Sequence, residues 1–485
     1  MTTNAELLRQ LPSVEKLLNR PELTDLASDV ERSVISRCAA EVLDQLRGSI
    51  LSGQDNPRCF AETEGKLRLD LNALADDVAR KVHATVSCGM RRVVNATGVI
   101  IHTNLGRSVL PKEAIEAVVT AASGYSNLEY ELGQGMRSKR WKHVVQPLQA
   151  LSGAEDALVV NNNAAAVLLC LNTLAPGREV IVSRGELVEI GGSFRMPDVM
   201  SASGAVLREV GSTNKTKLSD YERAITDNTA LILKVHTSNY RIVGFTEDVP
   251  VQQLSVLSKR YNLPFMVDLG SGLLAGEQSL AMPDGLRIDE PVVRDVVTAG
   301  ADVVTFSADK LLGASQAGII VGRSDYVERA AANQLARALR IDKLSLAALD
   351  ATLGLYVRWP TRFAEFIPTL SMLTASVNEL SVRAEEIRAS LQNVLGSDFE
   401  VGVEPGYSKA GGGAMPLLEL PTVLVSVSSS KMSADAIERA LRLAEVPVIT
   451  RIAEQKVLID PRTLLEDDIE PLVDAFRVAA ANEDR

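Results

Sequence analysis

The stretch "FSADKLLGASQAGIIVG", residues 306–322, places Lys310 in a loop of small residues between two apolar runs. Burying an unpaired ammonium is costly, so a lysine there has two readings. It keeps its head in water at a strand end, or it is a desolvated amine that forms a Schiff base. Other polar residues follow other apolar runs. "PFMV" leads into Asp268, "ALVV" into Asn161, Asn162, Asn163 and Ala164, and "ALILKV" into His236, Thr237, Ser238 and Asn239. "DVVTF" leads into Ser307, Ala308, Asp309 and Lys310. Asp268 is either a carboxylate for a ligand's N–H or a turn residue in "DLGSG". In "NNNAAAVLLCLNTL", Asn162, Asn163 and Ala164 offer first-turn amides to an anion, or Asn162 is a plain N-cap. Ser307, three residues before the lysine, is a further donor; His236 and Ser238 are donors or hydrogen-bonded structure.

The elements that hold these residues read as a sheet. "ALVV", "EVIV", "AVLREV", "ALILKV", "PFMVD", "DVVTF" and "GIIVG" alternate with amphipathic stretches such as "LSDYERAI" and "VQQLSVLSKRY". Continuous apolar strands separated by helices indicate a mostly parallel sheet covered on both faces. Ligand chemistry on such sheets lies at the carboxyl ends of the strands, where all the candidates converge. Residues 1–62 carry helix-period leucines and close on the loop-like "SGQDNPRC". Residues 63–345 form the α/β domain, and 346–485, with "NELSVRAEEIRASLQNVL", "TVLVSVS" and "SADAIERALRLA", form a small α+β domain.

Composition narrows the classes. Cys38, Cys59, Cys88 and Cys170 are scattered and only four histidines exist, so neither a zinc site nor a disulfide framework is expected. No apolar run reaches a membrane span, and the start lacks a signal-peptide pattern, so a cytoplasmic protein without membrane partners is expected. A formal charge of -11 argues against a broad basic surface for nucleic acid.

Pyridoxal phosphate needs an amine for its aldehyde, a carboxylate for its ring nitrogen and a cradle for its phosphate. The chain order of phosphate helix, Asp268 and Lys310, each at a strand end, resembles fold-type I pyridoxal-phosphate enzymes. His236, Ser238 and Asn239 then lie where a donor to the pyridine hydroxyl belongs.

The resemblance extends further, through "RRVVNATGVIIHTNLGRSVLP", "VEIGGSFRMPDVM", "GSTNKTKLSDYERAI", "KVHTSNYRIVGFTE", "FSADKLLGASQAGIIVG" and "LARALRIDKLSLAALDATL". These segments, with the N-terminal "LRQLPSVEKLLNRPEL", resemble bacterial selenocysteine synthase, the L-seryl-tRNA(Sec) selenium transferase family. The family typically has glycine at Ala308 and at Ser138, and Gly-Pro at Ala314-Ser315. The resemblance implies a reaction on seryl-tRNA(Sec), with β-elimination of the serine hydroxyl and addition of selenium from selenophosphate. It implies Lys310 as covalent anchor and general base and Asp268 as ring-nitrogen partner; Asp309 either assists proton transfer to the departing hydroxyl or only caps a turn. It assigns Arg107, Arg337 and Arg340 to the phosphate-like donor, and Arg451 in the small domain is a further candidate for similar work. On residues alone, the spacing of Arg337 and Arg340 also suits a solvated helix face. The resemblance further implies a homo-oligomer, a ring of dimers, and an N-terminal block that recognises tRNA. That block carries seven basic against ten acidic residues through Glu62, so it is no basic arm. Two alternatives are a pyridoxal-phosphate ammonia lyase of a small phosphorylated amino-sugar acid on the same scaffold, and a non-catalytic RNA-binding protein on a degenerate enzyme fold.

Overall fold

The computed structural model describes residues 3–52, 59–63, 66–191, 194–276 and 280–481. Most of the expected "SGQDNPRC" linker, at 53–58 and including Arg58, lies outside them. The chain forms two compact units, Met1–Arg92 and Val93–Arg485.

In the first unit, Ile35, Ala39, Val42, Leu43, Leu46 and Ile50 recur at helical spacing along Arg32–Ser52 and are all buried. Short helices Val14–Leu18 and Pro21–Leu26 cover them with Leu17 and Leu23. The boundary expected at residue 62 moves. The hairpin Phe60–Thr63 with Lys66–Leu69 and the helix Leu71–Val86 follow, and Leu74, Val78 and Val82 enter the same core. Asp70 caps that last helix, accepting from the Asn72 and Ala73 amides.

The second unit is built on seven strands: β1 (Asp156–Val160), β2 (Glu179–Ser183), β3 (Val206–Val210), β4 (Thr229–Val235), β5 (Phe265–Gly270), β6 (Val303–Ser307) and β7 (Gly318–Gly322). They are the seven apolar runs of the sequence, in the order β3-β2-β4-β5-β6-β7-β1. All pairs are parallel except those made by β7. The exception has a physical cause: ten residues separate β6 from β7, and a parallel return needs a crossover of about a dozen or more. The chain therefore turns straight back, leaving the Lys310 loop at the carboxyl end of β6. Gly318 is required where it returns, because a Cβ there would lie 2.0 Å from the Asn162 carbonyl oxygen.

The second expected boundary, at 345/346, also shifts. Helices Lys343–Arg358 and Pro368–Thr374 bury Leu349, Leu353, Leu370 and Leu373 in the large-domain core. The smaller core starts with the Ser376-capped helix Val377–Val394 and gathers Ala384, Ile387, Val425, Ile459 and Phe476 with Val94 and Ala96. Its five-stranded sheet takes an edge strand, Val99–Ile101, from ahead of the large domain. Periodicity along the chain carries no sign of that non-local pairing.

Arg462 ties the two parts together. It is 1% exposed. Its guanidinium donates to the carbonyls of Met372 (2.7 Å), Ala375 (3.1 Å) and Pro421 (2.6 Å) and to the Ser408 hydroxyl (3.0 Å). Ser408 and Thr422 in turn donate to the buried Asp460 carboxylate. Arg462→Met removes the donors and leaves three main-chain carbonyls and the Ser408 hydroxyl without them, so a loss of roughly 3–5 kcal/mol is expected. A lowered urea midpoint measures it; an unchanged midpoint would show that these bonds are dispensable.

Candidate active site

Lys310 and Asp268 are each 4% exposed. The strand-end reading, with the ammonium in water, therefore does not describe Lys310. Burial pulls its amine below the ordinary lysine value, and the Arg107 guanidinium pulls the same way, against Asp309, Asp268 and Glu290. Ser108 Oγ lies 2.8 Å from the Asp309 carbonyl and 2.7 Å from that of Lys310, fixing the loop's backbone.

Asp268 sits inside β5, neither a turn residue nor a cap. Its Oδ1 accepts from Asn163 Nδ2 at 2.8 Å and from Thr305 Oγ1 at 2.9 Å. Burial pushes the carboxyl up, opposed by those two hydrogen bonds and then by Lys310 and His236. Gly270 closes the strand at φ +69°, and a Cβ there would meet Ser238 Oγ at 3.5 Å and Lys310 Nζ at 4.0 Å. A bare glycine thus keeps open the space beside the amine.

The helix Asn163–Leu174 starts beside β7. Asn162 is its N-cap, accepting from the Ala165 amide at 2.9 Å. The amides of Asn163 and Ala164 belong to the first turn, which has no intrahelical acceptor. The N-cap reading of Asn162 thus describes the segment, and the first-turn amides leave the anion reading as a proposal. His236 follows β4; its amide donates to the Asp268 carbonyl at 2.8 Å, and its Nε2 lies 2.8 Å from Glu290 Oε2. Ser307 ends β6, buried, and Asn239 donates to the Glu189 carbonyl.

Three buried polar atoms in this neighbourhood lack a protein partner: Asn163 Oδ1, Ser238 Oγ and Asn239 Oδ1. Buried polar atoms are nearly always bonded, so a cluster of exceptions marks a place where a polar ligand belongs.

The profile of the L-seryl-tRNA selenium transferase family matches residues 93–465, and that of the selenocysteine synthase N terminal matches residues 8–47. The L-seryl-tRNA(Sec) selenium transferase of Geotalea daltonii is 48% identical over 471 residues, 97% of this chain and 99% of that one. The enzyme of the same name from Alkaliphilus metalliredigens is 47% identical over 477 residues, 98% and 99% of the two chains. The chain belongs to the L-seryl-tRNA selenium transferase family. Among solved structures, D-glucosaminate-6-phosphate ammonia-lyase superposes with a TM-score of 0.56 at 21% identity, covering 83% of this chain and 99% of its own. That likeness gives the fold, the fold-type I architecture.

The family's arginines are distributed unevenly here. Arg107, at φ +64°, is held by a tight turn on the His102 carbonyl, and its Nη1 donates to Asp309 Oδ2 at 2.6 Å. Arg107, Asp309 and Lys310 are thus one cluster. Arg337 and Arg340 do not share a helix face, because the helix is only Leu335–Ala338. Arg340 lies beyond it, bridged to Val160 at the end of β1, with Nη1 3.4 Å from Glu129 Oε1. Glu129 also takes Arg140 through Nε and Nη2, and Arg137 at 3.3 Å. The Arg140 bonds hold its carboxyl below the usual range despite burial. The hydrogen bond of Arg451 runs to the Tyr407 carbonyl in the C-terminal sheet, and its Nη2 lies 3.7 Å from Asp460 Oδ2.

The departures from the family pattern leave the lysine loop closed. The Ala308 and Ala314 amides donate to the carbonyls of Ala317 and Ala308 at 3.0 Å, and Ser315 Oγ donates to the Ser345 carbonyl at 2.7 Å. Ser138 donates its amide to the Glu129 carbonyl. Residues missed by the sequence reading are Thr305, Glu290 and Glu129. Thr305 had a signal, being the polar residue that interrupts the apolar run "VVTF", and it stands directly opposite Asp268 in register. Glu290 and Glu129 lie in irregular segments with no periodic mark.

Proposed function

We propose that this chain converts seryl-tRNA(Sec) to selenocysteinyl-tRNA(Sec), using pyridoxal phosphate held on Lys310 and selenium from selenophosphate. One observation carries the reading: a buried amine of lowered basicity stands with a buried carboxylate at adjacent strands of a family member's sheet. The residues fit the cofactor. Lys310 would take the aldehyde, Asp268 would face the ring nitrogen, and the unpartnered Asn163 and Ser238 atoms, with the Asn163 and Ala164 amides and Ser307, would bind polar groups of the ring and phosphate. When bound, the group supplies an electron sink for negative charge at the substrate Cα.

Every other task falls to the chain. Lys310, freed when the substrate amine takes its place, removes the Cα proton; its lowered basicity makes the neutral amine available nearer neutral pH. The proton that Lys310 has taken from Cα is handed on, with the Asp309 carboxylate that Arg107 anchors assisting, to the departing β-hydroxyl, which leaves as water. Selenium then bonds to the β-carbon as its bond to phosphorus breaks; water takes the phosphoryl group, which leaves as phosphate, and the water's proton returns to Cα through Lys310. The tRNA ester occupies the serine carboxylate, so guanidiniums in the site suit the donor's oxyanion. Arg107, beside Asp309, supports that reading most directly; Arg337, Arg340 and Arg451 remain candidates for the same work.

The functional form is a homo-oligomer. Tyr125, Leu132 and Met136 are exposed within one short segment, which favours coverage by another copy. Among the described residues, no helix is long and apolar enough to cross a membrane. The ammonia-lyase alternative has only likeness of fold behind it.

The N-terminal unit is the proposed tRNA reader. A gel shift is expected to show the full chain retarding selenocysteine tRNA in preference to serine tRNA. A chain starting at Val93 should lose that preference, since Met1–Arg92 is compact by itself and contributes nothing the cofactor requires. Equal retardation of both tRNAs by the full chain would refute the function, and retained preference after truncation would move the reader into the second unit.

A further inference from the structure

Glu290 has no role in the chemistry described so far, yet its side chain is completely buried. Three donors from three parts of the second unit converge on its carboxylate. His236 Nε2 lies 2.8 Å from Oε2, and Ser271 Oγ donates to the same oxygen at 2.9 Å. The Met415 amide donates to Oε1 at 2.9 Å from the hairpin of the C-terminal sheet. Burial raises the acid, but the hydrogen bond and charge of His236, then the Met415 and Ser271 bonds, outweigh it and leave it lowered. The group is therefore a carboxylate and can only accept.

An acceptor on Nε2 requires the proton on Nε2. In a neutral imidazole that leaves Nδ1 with the lone pair, so the partner of one ring nitrogen decides what the other offers. His236 is fixed beside Asp268 by its own amide, and Asn239 follows three residues later. The Met415 hairpin abuts the same segment: a Cβ on Gly413 would lie 3.3 Å from Asn239 Cβ. Met415 itself stands at φ +49°, a conformation costly for a side-chain-bearing residue, and its bond to Glu290 holds it there.

We propose that Glu290 is a positioning residue: its carboxylate sets the proton of His236 on Nε2, so that Nδ1 would offer a bound cofactor an acceptor and leave donation to the pyridine hydroxyl to Ser238 or Asn239, and it locks this ring to the Met415 hairpin. The inference rests on the reading of the Lys310 pocket as a cofactor site, but not on which aminoacylated substrate is used.

The test is nitrogen NMR of the full chain with labelled histidine, recorded first without cofactor. Only four histidines are present, and the signal lost in His236→Gln assigns the resonance. The native protein is expected to show His236 protonated on Nε2. Glu290→Gln keeps size and shape, and its amide can donate to Nε2 and Ser271 Oγ while its oxygen still accepts from Met415. The proton should then move to Nδ1. In the loaded enzyme this variant should lower kcat roughly tenfold or more, a size typical of losing the outer partner of a working histidine. KM for the aminoacylated tRNA should stay near native, and the cofactor's absorbance should shift. Glu290→Asp, which keeps the charge, should restore the Nε2 proton and part of the rate. A native His236 protonated on Nδ1 alone overturns the proposal without any variant. So does a Glu290→Gln protein whose His236 signal and kcat match the native ones. Loss of tRNA discrimination with these spectra intact would count against the proposed reaction and leave the role of Glu290 standing.

Discussion

Lys310→Ala is expected to abolish turnover and leave the fold intact. The side chain makes no hydrogen bond among those that close its loop: Ser108 reaches the Lys310 and Asp309 carbonyls, and the Gly313 amide reaches the Lys310 carbonyl, all main-chain acceptors that alanine retains. Removing a buried amine of lowered basicity also relieves a desolvation cost, so stability should hold or rise. Both roles proposed for the amine, covalent anchor and base at Cα, vanish together. The loss should therefore exceed that of any neighbouring substitution. The native protein should be yellow, and borohydride should bleach it while fixing the cofactor to the peptide carrying Lys310. An adduct on another lysine, or measurable turnover by the alanine variant, would sink the assignment.

The same loop shows why this site could be read from the sequence. Seven strands cross a core covered on both faces, so their residues are nearly all apolar and the polar residue at each end stands out against that background. Lys310, Asp309, His236 and the Asn162–Asn163 pair were visible in that way, and Asp268 by its place in "PFMVD". What the pattern does not carry is the partner of each group. Thr305 reaches Asp268 only because β5 and β6 align in register, and Glu290 reaches His236 from an irregular segment 54 residues away. Glu129 gathers Arg137, Arg140 and Arg340 across 211 residues for its longest link. Such contacts are products of tertiary packing, and no local period marks them.

The domain boundaries failed for a related reason. Three helices follow one another from Lys343 to Val394 with similar apolar spacing, yet the chain changes core near Ser376. Apolar spacing tells which face of a helix is buried, not against which neighbour. Arg340 illustrates the reverse error: a three-residue spacing looked like a shared helix face, but the helix stops at Ala338, and the bridge to Val160 turns the arginine toward Glu129.

Asp268→Asn should keep the cofactor bound and slow proton removal at Cα by roughly a hundredfold or more, the usual scale for deleting a preorganised electrostatic partner. The geometry makes the substitution a clean one. Asn163 Nδ2 and Thr305 Oγ1 both donate to Oδ1, and an asparagine oxygen in that place can accept both. Its amide nitrogen then replaces Oδ2. There it presents N–H where a carboxylate oxygen would accept from the protonated ring nitrogen, so two donors would face each other and the ring nitrogen gives up its proton. Electron withdrawal weakens at the step that needs it, while Lys310, the Asn163 helix and the phosphate donors are unchanged. The expected signature is a fall in kcat with KM for seryl-tRNA(Sec) near native, and a shifted cofactor absorbance. Elimination at near-native rate by the asparagine variant would show that Asp268 serves the β5–β6 pairing through Thr305 and not the ring.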